Sequence, residues 1–322
     1  MPMQVPVVEV VAGLLRRPDG SMLLAERPEG RHYRGCWELP GGKCDPGETL
    51  IQALQRELHE ELDIQVRQAR PLITVQHGDN RLHIVLNVFC VDEYLGEPRG
   101  AEGQQVCWRQ PGEIERSSLT PADQIAFPAI LLPDQYVISP PARDARWEYC
   151  FRAVLNASDA LMQLRAHDLC EADYAALAGR ILDACDNQHR RRILLNSSLE
   201  LSARMGQGCH LPFWRLAELD ADRIAQWRRQ VGRGVWLAAS CHNRTELRQA
   251  ESLGVDFAVL SPVNPTPTHP QTLPLGISRL QELVRTTNLP VYGLGGMRPE
   301  DTPNLWQAGA QGVAGISAFW PD

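Results

Sequence analysis

The chain has 322 residues, 43% hydrophobic and 22% charged, enough apolar material for two globular domains and too much for a mainly disordered or fibrous protein. Its net charge of −7, from 32 Lys+Arg against 39 Asp+Glu, argues against a protein that coats nucleic-acid polymers. A small phosphorylated ligand stays open, because a bound divalent metal offsets charge locally.

The first twenty residues hold an apolar stretch interrupted by Glu9, with no basic segment before it, so they read as a strand and a turn at Pro18-Asp19-Gly20 rather than a signal peptide. No run approaches the roughly 18 apolar residues of a membrane span. The nine cysteines are odd in number and contain no Cys-x-x-Cys, which predicts free thiols and a cytoplasmic protein. Strand-like runs follow at Val7–Leu15, Met22–Ala25, Leu72–Gln76, His83–Val91 and Gln105–Trp108, around one helix near residues 50–62. That is an α+β layout.

Thr49 with Gln52 forms a capping box, so the helix is expected to start at Leu50. Leu50, Leu54, Leu58 and Leu62 then fall on one stripe beside Ala53. Prolines at Pro133, Pro140 and Pro141 mark a boundary near residue 134, giving domains 1–134 and 135–322. Beyond it, eight apolar runs (Tyr136–Ser139, Ala160–Arg165, Arg192–Asn196, Cys209–Leu211, Val235–Ser240, Phe257–Ser261, Val291–Gly295 and Gly312–Ser317) alternate with helical stretches. Helices are expected at Ala172–Ala184, Ala221–Gln230, Thr245–Leu253, Ile277–Thr286 and Pro299–Ala308, so the second domain reads as a (β/α)8 TIM barrel.

The chemistry is densest from Trp37 to Ile64. Glu57, Glu60 and Glu61 lie at i, i+3 and i+4, which converges three carboxylates on one helix face. A solvated acidic face paired with Arg56 is one reading; a hard-cation site is the other, since Mg²⁺ takes oxygen ligands and bridges them to phosphates. The Gly41-Gly42 turn before the helix favours the second, because it brings backbone close to the same point.

Gly42, Glu48 and the run Arg56-Glu57-Leu58-His59-Glu60-Glu61-Leu62-Asp63-Ile64 together resemble the Nudix box, Gly-x5-Glu-x7-Arg-Glu-U-x-Glu-Glu-x-Gly-U, with U bulky and apolar. One position departs: Asp63 stands where the family has a glycine that ends the helix left-handed, a conformation Asp tolerates at some cost. The flanks Leu24–Arg27, Trp37–Lys43 and Gly96–Trp108 are similar to MutT-type oxidised-nucleotide hydrolases. The resemblance implies Mg²⁺, or Mn²⁺, held by Glu57, Glu60, Glu61, Glu102 and the Gly41 carbonyl, with Glu48 fixing Arg56. It implies hydrolysis of a small-molecule nucleotide, 8-oxo-dGTP first among them, to the monophosphate and pyrophosphate. Coupled carboxylates share a titration, so the general base stays unassigned among them.

Arg27, Glu38, Lys43 and Asp123 are implied at the nucleotide. Asp123 falls where the MutT pattern has Asn, so it either is protonated when bound or alters which oxidised purine fits. Equally, it reads as a cap before Ile125–Ile130.

The barrel half resembles the thiamine phosphate synthase and thiazole tautomerase family through Gln163-Leu164-Arg165, Leu194-Leu195-Asn196, Gly208-Cys209-His210-Leu211, Ser240-Cys241-His242, Ser261–Thr268 and Gly293–Met297. A phosphate is expected at Gly295, Gly296, Ser317 and Ala318, where barrels offer backbone N–H groups. Gln163, Arg165, Asn196, His242, Thr266 and Thr268 are the further ligand or catalytic candidates. Three family positions depart: Ser197 replaces a Mg²⁺ carboxylate, Pro212-Phe213-Trp214 an acidic run, and His269 a lysine. His242 matches the tautomerase position that moves a proton, against a structural histidine as the other reading. The barrel is therefore expected to be a thiazole-processing enzyme, a sensor of a thiamine-pathway phosphate, or a scaffold. An alternative makes both halves serve one pathway, the Nudix half acting on a thiamine-related pyrophosphate.

Overall fold

The structure is a computed structural model that describes residues 6–28, 30, 32–78, 82–142, 146–266 and 271–320. The chain divides into two compact units, Met1–Leu131 and Leu132–Asp322.

The first unit contains β1 (Val7–Leu15), β2 (Met22–Glu26), β3 (Trp37–Glu38), β4 (Gly41–Lys43), α1 (Leu50–Leu62), β5 (Gln65–Gly78), β6 (His83–Leu95), β7 (Val106–Arg109) and α2 (Pro121–Leu131). A four-stranded sheet runs β4-β1-β6-β5, with β1 and β6 parallel and the outer pairs antiparallel; a second sheet runs β3-β2-β7. Both faces of the larger sheet are apolar. Leu54, Leu58 and Leu62 of α1 pack on Val11, Leu15 and Phe89, while α2 covers Leu14, Val75 and Val88 on the other side.

Local chemistry sets the helix ends. The Thr49 side chain accepts from the Gln52 N–H and the Gln52 side chain answers the Thr49 N–H, as the capping box predicted. Asp63 closes α1 at φ 57°, in the left-handed region the family glycine would occupy. β5 is longer than the expected Leu72–Gln76, because register shifts at Val66/Gln68 and Pro71/Ile73 break its two-residue alternation. β3 and β4 were not anticipated: two or three residues are too few to show a period.

The second unit is a closed barrel of parallel strands: β8 (Gln135–Ile138), β9 (Leu161–Leu164), β10 (Ile193–Leu195), β11 (Gly208–Leu211), β12 (Leu237–Cys241), β13 (Phe257–Leu260), β14 (Val291–Leu294) and β15 (Gly312–Gly315). All eight expected runs supply a strand. Around them lie α3 (Trp147–Ala157), α4 (Glu171–Asp183), α5 (Asn187–Arg191), α6 (Leu199–Met205), α7 (Phe213–Leu216), α8 (Ala221–Val231), α9 (Arg244–Ser252), α10 (Gly276–Val284) and α11 (Thr302–Gln307). The barrel interior is aromatic: Tyr136, Phe257 and Tyr292 meet with ring centroids 5.2–5.7 Å apart, and Ala238 and Ala314 leave room for them. No helix among the described residues is long and apolar enough to cross a membrane.

Candidate active site

In the first unit α1 carries its carboxylates along the edge beside β4. The Arg56 guanidinium grips Glu48 through two bonds, Nε–Oε1 at 2.8 Å and Nη2–Oε2 at 2.9 Å. Its Nη1 also reaches Glu57 at 2.9 Å and Glu60 at 3.2 Å, and Nη2 donates to the Lys43 carbonyl at 2.9 Å. Glu61 accepts the Gly41 N–H at 3.0 Å, so the Gly41 amide meets a site carboxylate. A Cβ on Gly42 would fall 2.2 Å from Glu57 Oε2, so no larger residue fits there with the carboxylate in place.

The end of α1 is tied to the segment that bears Glu102. The Glu61 carbonyl accepts from the Ala101 N–H and the Gln104 amide, and the Leu62 carbonyl from the Arg99 N–H. Glu102 thereby joins Glu57 and Glu61 as a neighbouring like charge.

Charge is unevenly compensated. The Arg56 hydrogen bonds hold Glu48 down to about 2. Burial raises Glu57, with Glu60 and Glu102 adding repulsion. Burial also lifts Glu61 to about 7, opposed by its bond from Gly41 and reinforced by Glu38, Glu57 and Glu102.

Glu57, Glu60 and Glu61, expected with Glu102 at the metal, each take a partner of their own. Among the described residues, no three His, Cys, Asp or Glu side chains are grouped so as to hold a metal ion. Like charges spread apart, and Arg56 draws Glu57 and Glu60 to itself while Glu61 turns to the Gly41 amide. The donor set still fits a hard divalent cation: it is all carboxylate oxygen, with more negative charge than one arginine offsets.

At the nucleotide end, Arg27 pairs with Glu38 across β2 and β3. Lys43 offers its carbonyl to Arg56, and its residue is exposed. Asp123 is 4% exposed and lies inside the first turn of α2, which begins at Pro121, so it is not the cap residue. One oxygen accepts the Leu39 N–H at 3.3 Å and the other meets the Thr120 hydroxyl. Burial raises Asp123 to about 7, with Glu38 adding to it.

In the barrel, the candidates lie at or just past the C-terminal strand ends. Arg165 follows β9, Asn196 follows β10 and His242 follows β12. The Arg165 guanidinium makes no hydrogen bond or ion pair among the described residues, and burial lowers its pKa. Gln163 is buried inside, against the Tyr136 hydroxyl. Gly295 and Gly296 take φ of 103° and 60°, and a Cβ on Gly296 would lie 2.7 Å from the Pro265 carbonyl. Ser317 and Ala318 open a single 3-10 turn that ends at Phe319. Thr266 is described, whereas Thr268 and His269 lie outside the described residues.

Sequence reasoning gave no role to two arrangements. A chain runs from the buried Tyr136 and His210 to the half-buried Ser240, Tyr136 OH to His210 Nδ1 at 2.9 Å and His210 Nε2 to Ser240 Oγ at 2.8 Å. Burial drives His210 down to about 3, so it is neutral. Second, Glu246 binds His242 Nδ1 at 2.9 Å. The Asn243-x-x-Glu246 spacing at a helix start is the signal that could have found it.

The thiamine monophosphate synthase family matches residues 135–319 and the NUDIX domain family residues 7–130. The chain is 36% identical to the 8-oxo-dGTP diphosphatase of Haemophilus influenzae over 117 residues, 36% of this chain and 86% of that protein. It is 38% identical to the CTP pyrophosphohydrolase of Escherichia coli over 117 residues, again 36% and 86%. Through the barrel it is 30% identical to the putative thiamine-phosphate synthase 2 of Aquifex aeolicus over 167 residues, 52% of this chain and 86% of that one. The α1 carboxylates beside the glycine turn and the closed parallel barrel thus have one account: the chain joins a Nudix domain to a domain of the thiamine monophosphate synthase family.

Proposed function

We propose that the Nudix half, taken as residues 1–134, is a Mg²⁺-dependent hydrolase of oxidised purine nucleoside triphosphates, with 8-oxo-dGTP as leading substrate. The observation that carries this is Glu57 and Glu61 set against the Gly41-Gly42 backbone with an uncompensated excess of negative charge. Glu57, Glu60, Glu61, Glu102 and the Gly41 carbonyl would hold the cation, which would supply a more acidic water and neutralise the leaving pyrophosphate. Glu48 keeps Arg56 anchored, so the carboxylates stay ordered along α1. Burial raises the Asp123 carboxyl, which favours the protonated form that could donate to a purine edge. The identity to an 8-oxo-dGTP diphosphatase supports this reading.

The test is pyrophosphate or phosphate release from 8-oxo-dGTP, dGTP, CTP and thiamine diphosphate, with and without Mg²⁺. Preference for 8-oxo-dGTP supports the proposal; preference for CTP overturns the base assignment. The adjoining family domain favours a second reading, a thiamine-related pyrophosphate, which thiamine diphosphate turnover would select.

For the barrel, residues 135–322, we propose a phosphate-bearing ligand at Gly295, Gly296, Ser317 and Ala318, with Arg165 and Asn196 beside it and His242 moving a proton. The Arg165 guanidinium, with no hydrogen bond or ion pair among the described residues, supports an anion at the mouth. Thermal-shift scans with inorganic phosphate and thiamine-pathway phosphates test it. Absence of any shift would leave a scaffold, and a shift without turnover a sensor.

A further inference from the structure

We propose that Glu246 is a positioning residue that locks His242 into its Nδ1–H tautomer, leaving an unprotonated Nε2 open at the barrel mouth. This deepens the reading of the barrel as a proton-transferring site and rests on that reading for its purpose. The geometry itself stands apart from it.

His242 is the first residue past β12, at the strand end where barrel chemistry is placed. One Glu246 oxygen, Oε2, takes two bonds from the same residue: the His242 backbone N–H at 2.8 Å and Nδ1 at 2.9 Å. The other oxygen, Oε1, accepts from the Asn243 amide at 2.7 Å. Asn243 in turn caps α9 by accepting the Glu246 N–H at 3.1 Å. The carboxylate is therefore held through both oxygens and its own backbone, and it has no freedom to leave the ring.

A carboxylate only accepts hydrogen bonds, so the neutral imidazole must carry its proton on Nδ1. Nε2 is then a bare lone pair. Among the described residues it has no partner, and the His242 side chain is 39% exposed, so it faces solvent or a ligand. The Phe213 ring stands edge-on to the imidazole at 4.9 Å and 85°, which fixes the second side of the ring. Phe213 belongs to the segment that replaces the acidic run expected from the family resemblance.

This arrangement suits one kind of step. Nε2 takes a proton from an acidic C–H or ring N–H of the ligand, the imidazolium is stabilised by the Glu246 carboxylate, and the same proton returns to a second ligand atom. Nothing is oxidised and nothing leaves, so no co-reactant is needed. The ligand class is an ionisable ring or carbon acid small enough to lie against Phe213.

The experiment is ¹⁵N NMR of the imidazole nitrogens in the ligand-free full chain, in buffer alkaline enough that imidazole is neutral. The parent protein should show His242 with a protonated-type Nδ1 and an unprotonated-type Nε2. In Glu246→Ala those resonances should exchange character, since a free imidazole prefers Nε2–H. Glu246→Gln should keep the parent pattern, because its amide oxygen still accepts. Alanine keeps the N–H that Asn243 caps, and the His210 resonances, set by Tyr136 and Ser240, report whether the barrel has stayed folded. An Nε2–H tautomer in the parent chain overturns the proposal without any variant, and so does an unchanged pattern in Glu246→Ala. The parent pattern together with silent thermal-shift scans supports the assignment while removing the proton-transfer reading.

Discussion

Glu61 and Asp123 are both buried carboxyls raised to about 7, from ordinary values of 4.5 and 3.8. The sign of their effect follows directly. Between the unfolded and folded values the native state keeps protons that the unfolded chain has released, so stability falls as pH rises from about 4 to about 7 and then levels. Glu48, held down to about 2, acts oppositely: its stabilisation is full above 4.5 and is lost as pH falls toward about 2. Asp123→Asn keeps an oxygen for the Leu39 N–H and removes the charge, so thermal unfolding across pH 4–8 should show a flatter decline than the parent. An equally steep decline would place the burden on Glu61 alone. The same substitution, in kinetics on 8-oxo-dGTP and 2-hydroxy-dATP, should change selectivity if Asp123 reads the purine. Glu57→Gln removes an anionic donor and should cut turnover by about a hundredfold or more, with added Mg²⁺ failing to restore it.

At the scale of elements, α1 is where sequence and structure agree most closely. Its cap, its apolar stripe and its left-handed end are all fixed by residues within a few positions of one another. Thr49→Ala should therefore cost roughly 1 kcal/mol, measured by chemical denaturation. Asp63→Ala should destabilise by about 1 kcal/mol while Asp63→Gly is tolerated, because only the former carries the full left-handed strain. What the sequence did not disclose depends on distance along the chain. Arg56 was legible as a partner of Glu48 and of the acidic face, with Glu60 at i+4 from it, whereas the bond that turns Glu61 to the Gly41 amide joins residues 20 apart. The Tyr136–His210 contact joins residues 74 apart, with no local signal in either segment. β3 and β4 were hidden by brevity, although they carry Glu38 and the glycine pair. Gly42→Ala tests that placement: the new Cβ must displace Glu57, so turnover should drop with little loss of stability.

At the scale of the molecule, two units with separate cores should respond to separate ligands. Calorimetry should show Mg²⁺ raising one transition and inorganic phosphate the other, since each ligand stabilises only the unit that binds it. A single transition moved by both would refute that independence. The ring closure has a further consequence, in time rather than space. β15 completes the barrel by pairing with β8, its first strand. On a ribosome, the Nudix strands have all emerged before β8 does, whereas β8 waits with one edge bare until Gly312–Gly315 is synthesised. The hydrolase half can thus be folded and working while the barrel is still an open sheet. A nascent chain stalled before Gly312 should already release pyrophosphate, and it should be the species most in need of a chaperone.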